Sequence, residues 1–192
     1  MGRSKEYVRT EVLDKAMNQF WRSGYAHTTI RDLEKAMGIN QFSIYNSFTS
    51  KADLYREVLE RYSSTMHRTN LRNLSSKDAN ISDIRDFFEQ FASCLLNKEM
   101  PNSCMMVNSI LMFEQFPDSI RQVVNTFFDS IESYLRIALE NSKEKGMVRP
   151  DLDVETEARY LLSISQSLSV IHFNKKKSEI ETYIDHALTK LK

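Results

Sequence analysis

The sequence predicts an all-α protein, on three observations. In 192 residues there are only four glycines and three prolines, too few to punctuate a sheet of short strands. No β-branched residues alternate with polar ones as a half-buried strand requires. Apolar residues recur instead at helical spacing in one segment after another, about nine in all. A chain of this length can bury its own core without disulfides or metals.

The first helix carries Val8, Val12, Leu13, Ala16, Met17, Phe20 and Trp21 as one stripe, and Gly24 stands where a left-handed residue would end it. Thr28-Thr29, with Asp32 three residues beyond Thr29, starts a short second helix whose Ile30, Leu33, Ala36 and Met37 face inward. Gly38 closes it, Ile39 tucks in, and Asn40 caps a third helix over Gln41–Phe48. Ile44 and Phe48, four apart, are its natural inward pair. Gln41, Phe42, Ser43, Tyr45 and Asn46 are then left facing outward or sideways, an uncharged surface that is not an ordinary solvated face. Three helix starts and two stops between Phe20 and Leu54 predict a helix-turn-helix that presents this third helix to a DNA groove.

Ser50-Lys51-Ala52-Asp53 starts a fourth helix, with Leu54, Tyr55, Val58, Leu59, Tyr62 and Met66 inward and an end near Leu74. It links the helix-turn-helix DNA-binding domain over 1–50 to a larger helical domain over 51–192, the linking helix being 51–74. After a polar connection, Asn80 caps a fifth helix with Ile81, Ile84, Phe87, Phe88, Phe91 and Leu95 inward, and Pro101-Asn102 breaks it. Ser103 to Glu114 reads as a shorter, very apolar sixth helix. Pro117-Asp118 opens the longest, which ends at Gly146. Asp153 caps an eighth through Ile171, and a last helix carries Ile180, Tyr183, Ile184, Ala187, Leu188 and Leu191.

Charge and composition narrow the function classes. The formal net charge is zero, but through Lys51 eight basic residues face five acidic ones, so this end is mildly positive and the remainder mildly negative. No apolar run approaches the ~20 residues that span a bilayer, so no membrane partner is expected. The amino-terminal MGRSKEYVRTEV lacks the apolar core of a secretory signal, and the two cysteines are isolated. A reducing cytoplasm is the expected compartment. Cys94 and Cys104 have no metal-site spacing, and the four histidines pair with nothing in sequence, so neither a metal nor another cofactor is expected. No nucleophile–base pair, carboxylate constellation or phosphate loop supports an enzyme.

The segment Phe20–Leu54 resembles the DNA-binding domain of the TetR/AcrR family of bacterial transcriptional regulators. The matching residues are Phe-x-x-x-Gly-Tyr at 20–25, Thr-Thr-Ile-Arg-Asp-Leu at 28–33, Ala-Met-Gly-Ile at 36–39, Ser-Ile-Tyr-Asn-Ser-Phe at 43–48 and Ser-Lys-Ala-Asp-Leu at 50–54. The remainder resembles the family in layout, with Asn102-Ser103-Cys104 and Gly146-Met147-Val148-Arg149-Pro150-Asp151 similar to one branch of its regulatory domains. The resemblance implies a homodimer of about nine helices per chain, in which 1–50 binds double-stranded operator DNA and 51–192 is a ligand-binding and dimerisation domain whose small molecule releases it.

In that setting Gln41, Phe42 and Ser43 would open the recognition helix against base edges. Gln pairs with adenine, Ser donates or accepts, and Phe contacts a thymine methyl. Phe42 departs from the small residue common there, and packing against the module's own core is the alternative. Thr29, Tyr45, Asn46 and Lys51 match family positions that touch phosphates, although Thr29 also serves as a cap. For the effector, expected to be a small apolar molecule, Met66, Phe87, Phe91, Cys104, Met105, Met106 and Phe113 form an aromatic and methionine-rich set that is either core or pocket wall. Gln166 and His172 are polar candidates for the pocket or for a dimer interface. Cys104, at a helix start that favours a thiolate, offers a second mechanism, redox or electrophile sensing, against a buried inert thiol. The helices Pro117–Lys145 and Asp153–Phe173 have apolar faces wide enough for both core and partner subunit.

Overall fold

The structure is a computed structural model that describes residues 8–97 and 103–192. Among these, nine α-helices and no strand occur: α1 (Arg9–Ser23), α2 (Ile30–Met37), α3 (Gln41–Ser47), α4 (Lys51–Arg68), α5 (Ile81–Leu96), α6 (Met105–Ile110), α7 (Asp118–Glu144), α8 (Val154–Ile171) and α9 (Lys177–Thr189). Short 3-10 turns at Phe113–Gln115 and His172–Asn174 follow α6 and α8.

Most of the helix starts lie where a capping side chain stands. The Thr29 hydroxyl accepts the Asp32 amide at 3.2 Å while the Asp32 carboxylate accepts the Thr29 amide at 2.9 Å, a reciprocal capping box. Asn40 Oδ1 accepts the Ser43 amide at 2.8 Å, Ser50 Oγ accepts the Asp53 amide at 3.0 Å, and Asp153 Oδ1 accepts the Thr156 amide at 3.2 Å. Gly38 ends α2 at φ 72°, in the left-handed region, which lets the chain turn at once into α3.

The α1–α3 helices form a small cluster on the first turns of α4. Phe20, Leu33, Met37, Ile44, Phe48 and Leu54 are all almost fully buried in it. Ion pairs from Arg9 to Glu57 and from Arg61 to Asp14 run along the seam between α1 and α4. Both are partly exposed, and each is worth under about 1 kcal/mol. Beyond the first turns, α4 packs on α7, and α7 lies along α8 to form the spine of the larger bundle, with α5 and α9 across it.

Two sequence expectations are corrected. The fourth helix stops at Arg68 rather than near Leu74. Residues 69–75 form turns that bury Leu71 and Leu74. The Leu71 amide bonds the Met66 carbonyl at 2.9 Å, so the chain leaves the helix there and brings both leucines into the core. The predicted sixth helix is cut to Met105–Ile110, because beyond it the chain turns to bury Phe116 against Tyr25 and Tyr55. The predicted break at Pro101-Asn102 lies outside the described residues.

Candidate functional site

Two sites emerge, one on α3 and its flanks, the other inside the bundle. On α3, Ile44 is fully buried and Phe48 is 2% exposed, so the four-residue spacing pins the helix by one face. Helical geometry then turns the opposite face outward. Gln41 and Asn46 are exposed, Ser43 is half-buried, Tyr45 is 45% exposed and Phe42 is 74% exposed. Phe42 therefore does not pack into the module's own core. A phenylalanine this exposed beside an exposed tyrosine, on a helix without a charged residue, is a surface that has more to gain from contact than from water.

Basic and polar groups flank this face. Lys51, at the first position of α4, holds its ammonium 4.3 Å from the centre of the Tyr25 ring. Partial burial pushes its pKa down from the ordinary lysine value. Thr29 is exposed at the start of α2, and its hydroxyl and amide hold the Asp32 carboxyl below the usual range. Thr29, Tyr45, Asn46 and Lys51 thus border the α3 face at exposed or half-buried positions. The sequence reading overlooked Glu34, whose Oε1 accepts the backbone N–H of Gln41 at 2.6 Å. A seven-residue step from α2 into α3 gives no local pattern that would have revealed it.

Inside the bundle lies an apolar cavity of about 30 Å³ between α4, α5, α6, α7 and α8. Five of the residues proposed from sequence line it: Met66, Phe87, Phe91, Cys104 and Gln166. Met105 and Phe113 do not. Cys104 and Val107, three apart, face the cavity, and Met105, about 100° further round the helix, is buried away from it. Phe113 falls past the end of α6, half-buried with the Arg121 guanidinium 5.9 Å from its ring. Met106 is fully buried and is not a wall either. His172 lies against Phe173, ring centres 4.0 Å apart, not on the cavity. The walls missed from sequence include Tyr62, Phe127, Phe128 and Ser165.

A second cavity of about 60 Å³ adjoins the first and shares Tyr62, Met66, Asn70, Phe91 and Cys104 with it. It reaches Trp21 of α1, whose indole N–H donates to the Ser103 carbonyl at 2.6 Å. Ser103 has φ 85°, a backbone conformation that costs a non-glycine residue on the order of 1–3 kcal/mol. A strained residue latched by an α1 side chain therefore joins the cavity wall to the α3-bearing cluster.

Burial overrides the helix start at Cys104, whose Met106 and Val107 amides favour a thiolate. The residue is 6% exposed, and burial pushes the thiol up, outweighing its hydrogen bonds. The Tyr62 hydroxyl donates to Sγ at 3.4 Å, and burial raises that phenol too. Iodoacetamide at neutral pH is accordingly expected to label exposed Cys94 and spare Cys104 in the folded chain, with both labelled in denaturant. Mass spectrometry of tryptic peptides reads this directly, and equal labelling of the two in the folded chain would contradict it. Among the described residues no three of His, Cys, Asp or Glu are grouped to hold a metal, and no helix is long and apolar enough to cross a membrane.

Comparison with known proteins gives these sites a context. A family model described as "Bacterial regulatory proteins, tetR family" matches residues 12–58, and one described as "Tetracyclin repressor-like, C-terminal domain" matches residues 81–188. The chain is 31% identical over 170 residues to the HTH-type transcriptional repressor ComR of Escherichia coli (strain K12), covering 88% of this chain and 81% of that protein. It is 27% identical over 189 residues to the HTH-type regulator YezE of Bacillus subtilis (strain 168), covering 97% and 95%. Among solved structures, a cysteine mutant of the TetR family regulator CifR, complexed with 26-base-pair operator DNA, superposes with TM-score 0.85 at 22% identity over the whole of both chains. Reduced Escherichia coli NemR does so with TM-score 0.82 at 18% identity, covering 93% and 94%. With its helix-turn-helix and its regulatory bundle both matched, this chain belongs to the TetR family of bacterial transcriptional regulators, which are DNA-binding proteins rather than enzymes.

Proposed function

We propose that the protein is a cytoplasmic, homodimeric repressor that leaves a pseudo-palindromic operator when a small apolar molecule enters the bundle. The observation that carries this is the outward face of α3, uncharged and partly aromatic on a helix pinned from behind by Ile44 and Phe48. Gln41, Phe42 and Ser43 read base edges in the major groove. Thr29, Tyr45, Asn46 and Lys51 hold phosphates and set the register. The DNA-binding domain is 1–50 and the ligand-binding and dimerisation domain is 51–192, although Tyr55 and Val58 of α4 already belong to the core under α1. That ComR is a repressor, and that CifR is seen with operator DNA, supports repression and this mode of binding.

Dimerisation is assigned to α7 and α8. Val170 and Phe173, at the end of α8 and just beyond, are 53% and 64% exposed, and an apolar surface there suits a second copy. Two modules about 34–36 Å apart would then meet successive major grooves. The effector occupies the two adjoining cavities, with Met66, Phe87, Phe91 and Gln166 as contacts and Cys104 as a wall rather than a redox or electrophile sensor. At about 30 and 60 Å³ the cavities hold little more than water, whereas small-molecule sites run to several hundred Å³. Binding therefore requires Met66 and Phe91, which stand between them, to swing aside. That displacement bears on Ser103 and, through Trp21, on α1.

Selection from a random duplex library should yield an inverted repeat bound by two protomers. A screen of small aromatic compounds by thermal shift should give hits that raise Tm and weaken operator binding by reciprocal linkage. In Trp21→Phe, which keeps the ring and loses the indole N–H, such hits should still raise Tm but release DNA at least fivefold less effectively. Hits that bind without any effect on operator affinity in the wild-type protein would end the ligand-release reading.

A further inference from the structure

The geometry points to Glu34 as a specificity-determining residue, whose carboxylate holds the main chain of Gln41 and keeps phosphate away from that end of α3. This rests on the reading of Gln41 as a base contact and deepens it. Glu34 lies in the last turn of α2, and its own carbonyl accepts the Gly38 amide at 2.9 Å, closing the turn. Its side chain then spans the turn to the first residue of α3, where Oε1 meets the Gln41 N–H at 2.6 Å. Asn40 takes the Ser43 amide at 2.8 Å. Two of the free amides that open α3 are therefore used within the protein, one of them by an acidic side chain.

That arrangement has two consequences for DNA. The backbone of Gln41 is fixed from both sides, by Glu34 at its amide and by the buried Ile44 three residues on, so its side chain leaves the helix in a defined direction. A bidentate pairing with adenine depends on such direction. The carboxylate also places a negative charge beside the start of α3, where it repels phosphate. Contacts to phosphate strengthen binding to every sequence alike, so the charge lowers affinity for operator and unrelated DNA by the same factor, and specificity depends on the hold on Gln41. Glu34 thus acts through Gln41 and through its charge, without touching a base.

The test compares wild type, E34Q, E34A and Q41A on a duplex selected from a random library by the wild-type protein, and on an unrelated duplex of equal length. Kd is measured for both across a salt series, together with base preference at each position of the selected site. E34Q retains an amide oxygen for the Gln41 N–H and loses only the charge. It should bind both duplexes more tightly by the same factor, about threefold, with a steeper salt dependence and the base preferences of the wild type. E34A loses both functions, so binding to the selected duplex should fall roughly tenfold, and preference should flatten at the position that Q41A alters. A merely structural role would leave that preference unchanged in every folded variant. If E34A does not fold, E34D, whose shorter side chain does not reach the Gln41 N–H, takes its place. Should Q41A leave every base preference unchanged, the base-reading role of Gln41 falls, whatever Glu34 does. Should Q41A alter one position while the folded E34A or E34D keeps the wild-type preference there, Glu34 is overturned and the Gln41 reading stands.

Discussion

Lys51→Ala is expected to weaken operator binding roughly 30-fold and to lower the salt slope by about two, with the fold intact. Each protomer of the proposed dimer presents one Lys51, so the substitution removes two phosphate contacts per complex, each worth about 1 kcal/mol at a partly exposed site. About 0.9 counterions are released per phosphate neutralised, which sets the change in slope. The lysine is suited to this by its position. It opens α4, where free amides and the positive helix end already favour an anion. Its ammonium rests 4.3 Å from the Tyr25 ring and so does not have to be ordered on binding. Loss of that cation–π contact costs the fold under about 1 kcal/mol. Lys51→Arg should restore most of the affinity, whereas Gln41→Ala should alter base preference and leave the slope unchanged. Fluorescence anisotropy with a labelled operator from 50 to 200 mM salt reads both quantities. An unchanged slope in Lys51→Ala would remove the residue from the interface.

Phe20→Ala should destabilise the protein by about 4 kcal/mol and lower Tm by roughly 8–16 °C. Phe20 is 2% exposed at the junction of α1, the turn after it and α4. Its ring meets Tyr55 edge-on, with centres 4.9 Å apart, and stacks on Tyr25 at 6.0 Å. Tyr25 and Tyr55 both contact Phe116 in turn, and the Tyr55 hydroxyl bonds Ser109 of α6 at 2.9 Å. Burial pushes the Tyr55 phenol up to about 12, so it stays a neutral partner throughout the useful pH range. The cavity left by alanine cannot close without shifting these rings. Tyr25 also carries the Lys51 ammonium, so the damage reaches the DNA face, and operator affinity should fall even well below the new Tm. Thermal melts followed by circular dichroism measure the loss, and a shift under about 3 °C would show that the site collapses around the gap.

The α3 face was legible before any coordinates because its causes are local. Ile44 and Phe48 share a side of a helix by spacing alone, and the caps Thr29, Asn40 and Ser50 each bond the amide three residues on. Phe42 was expected outward from the same spacing, with packing against the module's own core as the alternative, and the structure turns it out to 74% exposure. Glu34 was invisible by contrast. Its partner lies across the turn at Gly38, where the helical period no longer says which residues meet.

In the bundle the balance shifts. Met66, Phe87, Phe91, Cys104 and Gln166 were picked out by residue type and do line the cavity, but the same criterion picked Met105 and Phe113, which do not. Residue type says that a side chain prefers to be buried. Which wall it joins depends on the rotation of each helix against its neighbours, and that rotation is set by packing contacts far apart in the chain. The sequence by itself determined the helices, most of their caps, the family and the uncharged outward face of α3, because turn chemistry and apolar spacing act over a few residues. Only the tertiary structure decided the early end of α4, the short α6, the walls of the cavity and the Trp21–Ser103 latch, because each depends on where distant helices come to rest.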